Sequence, residues 1–331
     1  MAAGNRIARA LVGWYQRGHR DLPWRVTTDP YRIWVSEIML QQTRAQAVIP
    51  YYDRFLKRFP TAESLAAAAE NEVLALWSGL GYYSRARNLR RAAWAIIQAG
   101  GFPRDYDTIR ELPGIGDYTA AAIASIAFGL PHAVVDGNVL RVIARVENDA
   151  ADIGSAVTRR RFHEIAESWM DRSQPGVFNQ ALMELGATIC LPRNPLCAHC
   201  PINSCCGAQQ AGTTAQLPIK LRRKEPKRIQ GVLLIVQRNA SVLLRQRPAT
   251  ERRMAGFWDL PDPDQLPGAR LGRRFGEIRH TITHHHYTLE VRAAKARTPR
   301  SGFAWFRTCE LGAIPLSTTA RKALELAMVI R

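Results

Sequence analysis

Four cysteines within a short stretch constrain this sequence more than any other feature. Cys190, Cys197, Cys200 and Cys206 are separated by six, two and five residues, and Cys205 is a further thiol in the same stretch. In a reducing compartment such crowding indicates metal or cluster ligation, because disulfides are rare there. Zinc is one interpretation, although four-cysteine zinc sites usually pair two short C-x-x-C units and the first and last cysteines here stand singly. An iron–sulfur cluster is the other interpretation.

The sequence carries an excess of basic residues. Lys and Arg number 46 against 28 Asp and Glu in 331 residues, which gives a formal net charge of +18. This favours a polyanionic partner, although a genome-wide preference for arginine would also produce it. No segment approaches the roughly 18 apolar residues of a membrane span, and the N-terminus lacks the apolar core of a signal peptide. We therefore expect a cytoplasmic protein without a membrane partner.

Helical periodicity dominates the first two thirds of the chain. Apolar residues recur three and four apart in short segments that Pro and Gly punctuate, which predicts a compact all-α unit. Farther on, GVLLIVQR, HHHYTLEV and FAWFR predict strands, and STTARKALELAMVI predicts a closing helix. The predicted parts are a helical, cysteine-bearing domain of residues 1–25 and 130–210, a helical domain of residues 26–129, a linker of residues 211–228 and a small α/β domain of residues 229–331.

A glutamate lies on the apolar face of a predicted helix in the segment DPYRIWVSEIMLQQT. Asp29 and Pro30 suit the N-cap and first turn of this helix. Glu37 follows Ile33 by four residues and precedes Leu40 by three, so the three side chains share one face. Burial would raise the pKa of the carboxyl and keep a proton available for general acid catalysis near neutral pH. A structural Glu paired with a buried Arg is the alternative.

The segment LPGIG at residues 112–116 predicts a turn between two helices. Gly114 and Gly116 would let the backbone adopt positive φ and approach a ligand closely, and the N–H groups of the next helix favour an anion. This is the sequence pattern of a helix-hairpin-helix, here residues 105–129, whose usual ligand is a DNA phosphate. An ordinary tight connection between helices is the alternative.

Asp136 opens the following helix in the segment VDGNV. Taken alone, it is best explained as an N-cap. A carboxylate this close beyond a phosphate-binding hairpin is also well placed to stabilise a cationic transition state.

In combination these segments resemble the MutY family of adenine DNA glycosylases, within the helix-hairpin-helix superfamily. The resemblance rests on SEIMLQQT, GLGYYSRARNL, LPGIGDYTA, VDGNV, MELGA and the spaced cysteines, in this order. It implies a multidomain protein with an all-α helix-hairpin-helix glycosylase core, a [4Fe–4S] cluster loop and a C-terminal α/β domain similar to a Nudix hydrolase. It also implies that Cys206, at the family's spacing, is the fourth cluster ligand rather than Cys205.

The resemblance implies base-excision repair by hydrolysis of the N-glycosidic bond of adenine mispaired with 8-oxoguanine, or with guanine, in double-stranded DNA. The adenine must first be flipped out of the duplex. By this resemblance Glu37 protonates the departing base, Asp136 stays ionised beside the oxocarbenium-like sugar, and Asn138 orients Asp136 or a water. Tyr118 stands where relatives resembling endonuclease III carry the lysine that forms a Schiff base, which implies a monofunctional enzyme. We expect it to act as a monomer.

The resemblance also assigns residues that bind the substrate. The positions near the adenine pocket are Trp24, Arg25, Leu40 and Glu184, with Thr43 as a further contact. For Trp24 and Leu40, core packing is an equal alternative. Gln41, Gln42 and Tyr82 resemble residues that wedge into the base stack near the damaged guanine.

In the C-terminal domain, Thr283 and His284 align with the family's Phe-Ser-His recognition loop. Ile282 replaces the Phe and Thr283 the Ser, so the hydroxyl is retained and the stacking contact is altered. A metal site formed by residues 284–286 is disfavoured, because neighbours on a strand alternate faces. The segment DLPDPDQLPGARLGRRFGEI has Pro, Gly and Arg where a Nudix hydrolase needs a Glu-rich magnesium-binding helix. We therefore expect a domain that recognises 8-oxoguanine and is not a hydrolase.

Two rival interpretations remain. A bifunctional, endonuclease III-like glycosylase for pyrimidine lesions would share the hairpin, Asp136 and the cluster, but Tyr118 and the long C-terminal extension argue against it. A catalytically silent DNA-binding protein whose cluster reports redox state is opposed by the pairing of Glu37 with Asp136.

Overall fold

The computed structural model describes residues 3–221, 225, 227–248, 250–251, 254–282, 284–296 and 301–330. The chain divides into two compact units. The helical unit comprises Met1–Ala66 and Arg91–Arg223, and the C-terminal unit comprises Ala67–Arg90 and Lys224–Arg331. Residues 67–90 thus group with the C-terminal residues, although the sequence predicted them inside a helical domain. Among the described residues, no helix is long and apolar enough to cross a membrane.

Short helices follow one another through the first 210 residues. They are α1 (Ala3–Arg17), α2 (Pro30–Leu40), α3 (Ala45–Arg58), α4 (Ala62–Ala67), α5 (Glu70–Trp77), α6 (Ser84–Gln98), α7 (Tyr106–Glu111), α8 (Asp117–Phe128), α9 (Gly137–Val146), α10 (Ala156–Trp169), α11 (Pro175–Thr188) and α12 (Gly207–Gln210). In the helical unit, α1 packs against α10 and α11 around a core that includes Leu11, Ile143, Phe162 and Leu182. The predicted all-α unit is confirmed.

Local sequence sets the ends of the helix that carries Glu37. The Asp29 carboxylate accepts a hydrogen bond of 2.9 Å from the Tyr31 N–H, and Pro30 occupies the first helical position, where no N–H partner is needed. Helix α2 therefore begins where the sequence predicts. Ile33, Trp34 and Val35 are buried, so the helix lies within the core and carries Glu37 into it.

The C-terminal unit contains a mixed six-stranded sheet. The strands are β1 (Lys227–Arg238), β2 (Ser241–Gln246), β3 (Trp258–Asp259), β4 (Arg270–Ile282), β5 (His285–Lys295) and β6 (Phe303–Arg307), and α13 (Thr318–Leu326) follows them. The strand order is β3-β2-β1-β5-β4, with β6 paired to β2, and β1 runs parallel to β5. Apolar side chains cover both faces, and α13 packs on the face that carries Ile235 and Val291. The predicted strands and closing helix are confirmed.

The first part of the predicted linker is held against the helical unit. The Thr213 hydroxyl donates to the Asn148 side-chain oxygen at 2.6 Å, and the Ile153 N–H donates to the Ile219 carbonyl at 3.0 Å. The Arg145 Nε donates to the Leu217 carbonyl at 3.0 Å. Residues 213–219 of the predicted linker are therefore held in place by hydrogen bonds to the helical unit.

Candidate active site

Glu37 is buried in α2, with 5% of its surface exposed. Its Oε2 accepts a hydrogen bond of 2.9 Å from the Tyr118 hydroxyl, which α8 supplies. The pKa of Glu37 is raised to about 7, mainly by burial and to a smaller extent by the nearby Asp136 carboxylate, although the Tyr118 hydrogen bond and the Arg25 charge lower it. The carboxyl can therefore both donate and accept a proton near neutral pH.

Asp136 caps α9 and is half-buried. Its Oδ1 accepts the Asn138 and Val139 N–H groups at 2.8 and 2.7 Å, and its Oδ2 accepts the Asn138 side-chain amide at 3.1 Å. The pKa of Asp136 is raised by burial, and these hydrogen bonds limit the rise because they favour the ionised form. Asp136 thus has three donors for its negative charge. It is both the N-cap and a carboxylate beside Glu37.

Tyr118 connects Glu37 to α11. Its hydroxyl donates to Glu37 and lies 3.4 Å from the Met183 sulfur. Burial, followed by the charges of Glu37 and Asp136, holds the pKa of the Tyr118 phenol well above its usual value, so it stays protonated. The group is a hydrogen-bond donor to Glu37.

A cleft of about 800 Å³ opens at these carboxyl groups. Its size is that of a site for a nucleobase or a similar small ligand. The sequence-predicted residues that line it are Trp24, Arg25, Glu37, Leu40, Gln42, Thr43, Tyr118, Asp136 and Asn138. Residues that come from four separate segments of the sequence are therefore gathered around one space.

Two predicted substrate residues of the helical unit, Glu184 and Gln41, lie outside that lining, as do Tyr82 and His284 of the C-terminal unit. Glu184 is buried beneath the cleft, where its Oε2 accepts Arg20 Nη2 at 2.6 Å and Arg25 Nη2 at 2.5 Å. Although burial raises the pKa of Glu184, the two guanidinium groups lower it to about 2. Glu184 therefore orients Arg25 and Arg20. The Gln41 amide donates to the Thr119 hydroxyl at 3.3 Å, next to Tyr118.

The turn between α7 and α8 is built as a hairpin, but its glycines differ. Gly114 has φ of +80°, where a side chain would be strained. Gly116 is the N-cap of α8 with φ of −109°, so the expectation of positive φ at this residue is wrong. A Cβ atom at Gly116 would meet nothing within 4 Å, so this position leaves open space in front of the first turn of α8.

Four cysteine side chains line one cavity at the end of α11. Cys190, Cys197, Cys200 and Cys206 all face it, together with apolar residues and Arg145, whereas Cys205 is not part of this lining. The pKa of Cys200 is raised to about 11, mainly by burial and to a smaller extent by the charges of the other three thiols, which lie close by. Crowded, desolvated thiols of this kind are stabilised as thiolates when a metal centre binds them.

The arrangement of these thiols bears on which centre would fit. Within the described residues, no three His, Cys, Asp or Glu side chains are close enough to bind a single metal ion. A zinc ion would draw its four sulfurs to within about 4 Å of each other. Four thiols that share one cavity are the donor set that an iron–sulfur cluster needs.

The comparisons with known proteins agree with this geometry. The model of the HhH-GPD superfamily base excision DNA repair proteins matches residues 35–168, and a NUDIX domain model matches residues 231–326. The adenine DNA glycosylase of Homo sapiens is 34% identical over 399 residues, which cover 96% of this chain and 73% of the human protein. The chain belongs to the adenine DNA glycosylases, the MutY family.

Other relatives of this adenine glycosylase support the same assignment. The Mycolicibacterium smegmatis adenine DNA glycosylase is 38% identical over 261 residues, covering 77% of this chain and 86% of that protein. A thermostable thymine-DNA glycosylase superposes with a TM-score of 0.56 at 31% identity, covering 62% of this chain and 97% of that chain. A trapped endonuclease III–DNA intermediate shares the fold, with a TM-score of 0.54 at 22% identity over 64% of this chain and 99% of that chain. The enzyme removes adenine by hydrolysing an N-glycosidic bond in base-excision repair.

In this adenine glycosylase a buried arginine joins the cleft to the cysteine cavity. Arg141 Nη2 donates to the Asn138 side-chain oxygen at 3.0 Å and to the Gly186 carbonyl at 2.6 Å, while its Nε donates to the Cys190 carbonyl at 2.8 Å. Asn138 in turn donates to Asp136. The sequence analysis missed both Arg141 and Arg20, because nothing in their local sequence distinguishes them from surface arginines.

The predicted recognition residues of the adenine glycosylase lie between β4 and β5. Thr283 is outside the described residues. His284 precedes β5, and its carbonyl accepts the Lys227 N–H at 2.7 Å, which joins the start of β1 to this turn. Residues 260–269 form turns and lead directly into β4, in the region where the sequence lacks the pattern of a magnesium-binding helix.

Proposed function

We propose that this adenine glycosylase acts on adenine paired with 8-oxoguanine, or with guanine, in double-stranded DNA, and that it releases the base without cutting the strand. The observation that carries the proposal is the pairing of Glu37, whose pKa is about 7, with a hydrogen-bonded Asp136 around one cleft. Two carboxyl groups whose surroundings favour different protonation states are what hydrolysis of a glycosidic bond requires.

The reaction begins when adenine leaves the base stack and enters the cleft. Glu37, whose pKa of about 7 leaves a large fraction protonated near neutral pH, donates its proton to a ring nitrogen of adenine and makes the base a better leaving group. As the bond from the sugar breaks, positive charge develops on the sugar, and the Asp136 carboxylate stabilises it. Glu37, now ionised, accepts a proton from the water that attacks the sugar, which restores the acid.

The strand is left uncut because the cleft offers no amine at the position of Tyr118. A lyase reaction needs an amine that forms a Schiff base with the sugar, and the phenol of Tyr118 has no nitrogen with which to form one. Tyr118 instead donates to Glu37 and tunes its acidity. Asn138 holds Asp136 through its side-chain amide and is itself held by Arg141.

The four cavity cysteines, Cys190, Cys197, Cys200 and Cys206, would hold a [4Fe–4S] cluster. When bound, that cluster supplies a covalent centre that closes the loop of residues 190–206 and neutralises its thiolates. Iron and acid-labile sulfide analysis of the purified enzyme tests this: four of each per chain is expected, and zinc in their place would contradict it.

The base opposite adenine is recognised by two strained residues and by the C-terminal domain. Gln42 and Tyr82 have φ of +58° and +49°, a conformation that non-glycine residues adopt only where the surrounding structure enforces it. Such strain is typical of sites that hold a side chain ready for a ligand. His284 and Thr283 supply the contact to 8-oxoguanine, and the Gly114 and Gly116 hairpin binds the DNA phosphates.

Base release from a panel of duplexes tests the proposed function. We expect abasic product from adenine opposite 8-oxoguanine at the highest rate, from adenine opposite guanine more slowly, and negligible product from adenine opposite thymine. The strand should break only after treatment with alkali. Equal rates on all three duplexes, or strand cleavage without alkali, would contradict the proposal.

A further inference from the structure

The turn that carries Tyr82 presents this ring outward. Tyr82 is 40% exposed and has φ of +49°. The turn is fixed from within: the Trp77 indole N–H donates to the Gly81 carbonyl at 3.2 Å, and the Arg85 N–H donates to the Tyr82 carbonyl at 2.8 Å. Trp77 is fully buried, so these contacts tie the turn to a rigid support.

The next residue, Tyr83, points the other way. Only 6% of its surface is exposed, and its ring centroid lies 4.0 Å from that of Phe257, which is fully buried. Its hydroxyl accepts the Gly79 N–H at 3.4 Å and lies 3.5 Å from the Thr318 hydroxyl at the start of α13. Tyr82 thus faces solvent, whereas Tyr83, the next residue of the same turn, faces the interior of the C-terminal unit.

Two further hydrogen bonds hold this turn on the same surface. The Ser78 hydroxyl donates to the Leu316 carbonyl at 2.9 Å. Arg87, which follows the turn in α6, donates to the Ala255 carbonyl and to Glu70 Oε1, the latter at 2.8 Å. The contacts of Tyr83, Ser78 and Arg87 all reach residues about 170 to 240 positions later in the sequence.

The loop that receives Tyr83 is itself anchored to the sheet. Arg247 Nη2 pairs with Asp259 Oδ2 at 2.8 Å, and its Nη1 pairs with Glu251 Oε2 at 2.9 Å. Asp259 is buried and accepts the Ser317 hydroxyl at 2.7 Å, and Ser317 caps α13. Phe257 is therefore held in a fixed position, and a residue that packs on it is held in place as well.

We propose that Tyr83 is a positioning residue. Because it packs on Phe257, it fixes the position of the Tyr82 ring relative to the C-terminal domain. The Tyr82 turn and the C-terminal domain can then contact the base opposite adenine together. This inference rests on the proposed function, because it assumes that Tyr82 and the C-terminal domain recognise that base. Without Tyr83 the Tyr82 ring would lose its fixed position, and the enzyme would lose its preference for 8-oxoguanine over guanine before it lost its chemistry.

The test compares Tyr83→Leu with Tyr83→Phe in the full-length enzyme. Single-turnover rates of base release are measured on adenine opposite 8-oxoguanine and adenine opposite guanine. We expect Tyr83→Leu to lower the ratio of these rates by about tenfold, which is the size expected when a contacting group is displaced. Tyr83→Phe keeps the ring on Phe257 and should retain most of the ratio. Phe257→Leu removes the same contact from the other side and should repeat the effect of Tyr83→Leu.

A double-mutant cycle separates positioning from a general loss of stability. In a Tyr82→Ala background, where the ring to be positioned is absent, Tyr83→Leu should lower the ratio no further. The control is Phe306→Leu, a large-to-small change at a ring that packs on Trp258 inside the C-terminal domain. It should lower the melting temperature and leave the ratio unchanged.

The outcomes distinguish this inference from the proposed function. If the wild-type enzyme shows no preference for adenine opposite 8-oxoguanine, the proposed function fails. If the wild type shows the preference and both Tyr83→Leu and Phe257→Leu keep it, the inference alone is overturned. A loss of the ratio in Phe306→Leu equal to that in Tyr83→Leu would also overturn it, because the effect would then follow any damage to the domain.

Discussion

At the scale of single residues, burial decides the protonation of Glu37. Its pKa is about 7 in the folded enzyme against 4.5 for an exposed Glu. Between these values the folded state holds a proton that the unfolded chain has released, so stability falls as the pH rises from 4.5 to about 7. The loss of folding stability is complete above pH 7 and is on the order of 3 kcal/mol.

We therefore predict that Glu37→Gln raises the melting temperature at pH 8 and changes it little near pH 4.5. The amide fills the same space and has no charge to desolvate. Thermal unfolding at both pH values measures the difference, and Glu111→Gln, a change at an exposed residue, is the control. An equal rise in the melting temperature of Glu37→Gln at both pH values would show that desolvation of the carboxylate is not the cause of the rise.

Tyr118→Phe should move the pH dependence of base release. The Tyr118 hydroxyl donates to the Glu37 carboxylate and lowers the pKa of Glu37, so its removal raises that pKa. Because the acid must be protonated, the pH above which the single-turnover rate declines should rise. Tyr31→Phe, which removes a hydroxyl that donates to the Phe59 carbonyl, should leave the profile in place. A downward shift in Tyr118→Phe would contradict the assigned direction.

The residues that sequence could predict are those whose signal is local. Asp29, Pro30 and the apolar neighbours of Glu37 lie within twelve positions of one another, so the helix, its cap and the buried acid follow from spacing. The Arg20 and Glu184 pair joins residues 164 positions apart, and only the fold brings them together. The same separation explains why the sequence did not predict that Glu184, expected near the adenine pocket, pairs with Arg20 and Arg25.

At the scale of elements, the approach of α11 to the start of α9 shapes the cleft. A Cβ atom at Gly186 in α11 would lie 2.7 Å from the Cβ of Asn138, closer than side chains pack. Gly186→Ala should therefore push Asn138 and Asp136 out of position and lower the rate of base release by about a hundredfold, since a shift of about 1 Å has effects of that size. Duplex binding, measured by fluorescence anisotropy, should change little.

Gly13 in α1 offers a matched control for that change. A Cβ atom there meets only the flexible end of Arg17, at 3.6 Å. Gly13→Ala should stabilise its helix by about 0.5–1 kcal/mol and leave the rate unchanged. Equal losses of activity in the two variants would contradict the steric explanation.

Arg145 in α9 ties the cysteine loop to the segment that leads to the C-terminal domain. Its guanidinium is buried and donates to Cys190 Sγ at 3.3 Å, to the Leu191 carbonyl at 2.7 Å and to the Leu217 carbonyl at 3.0 Å. Arg145→Met leaves these acceptors without a donor, which typically costs several kcal/mol. We expect trypsin to cut the basic segment of residues 220–228 about tenfold faster. Arg161→Met, a change at an exposed arginine, should not alter the rate of cutting by trypsin. An unchanged rate in Arg145→Met would contradict the proposed role of Arg145 in holding this segment.

Element types were predictable where periodicity was strong, and backbone angles were not. The apolar spacing of α2 and α8 and the short apolar runs of β1 and β2 predicted the correct type of element. The hairpin sequence predicted two glycines with positive φ, but Gly116 is extended because it acts as the N-cap of α8. The spacing of the cysteines indicated a shared centre, and the turns after α11 bring the four thiols to one cavity.

At the scale of the whole molecule, the grouping of residues 67–90 with the C-terminal domain was beyond prediction from sequence. Their helical periodicity matches that of their neighbours in the chain, so nothing local marks a boundary at residues 66 or 90. The contacts that group them are made by Ser78, Tyr83 and Arg87 with residues far along the chain. A glycosylase built this way carries part of its proposed lesion-recognition surface on each side of the linker.

The most direct test of the account is single-turnover release of adenine from a duplex with adenine opposite 8-oxoguanine. The wild type is compared with Glu37→Gln, and the affinity of each for the duplex is measured in parallel. Because the amide has no proton to donate to the base, we predict that Glu37→Gln binds the duplex within about threefold of the wild type and releases adenine at least about a thousandfold more slowly. Release by Glu37→Gln at a rate near that of the wild type would contradict the role of the buried acid.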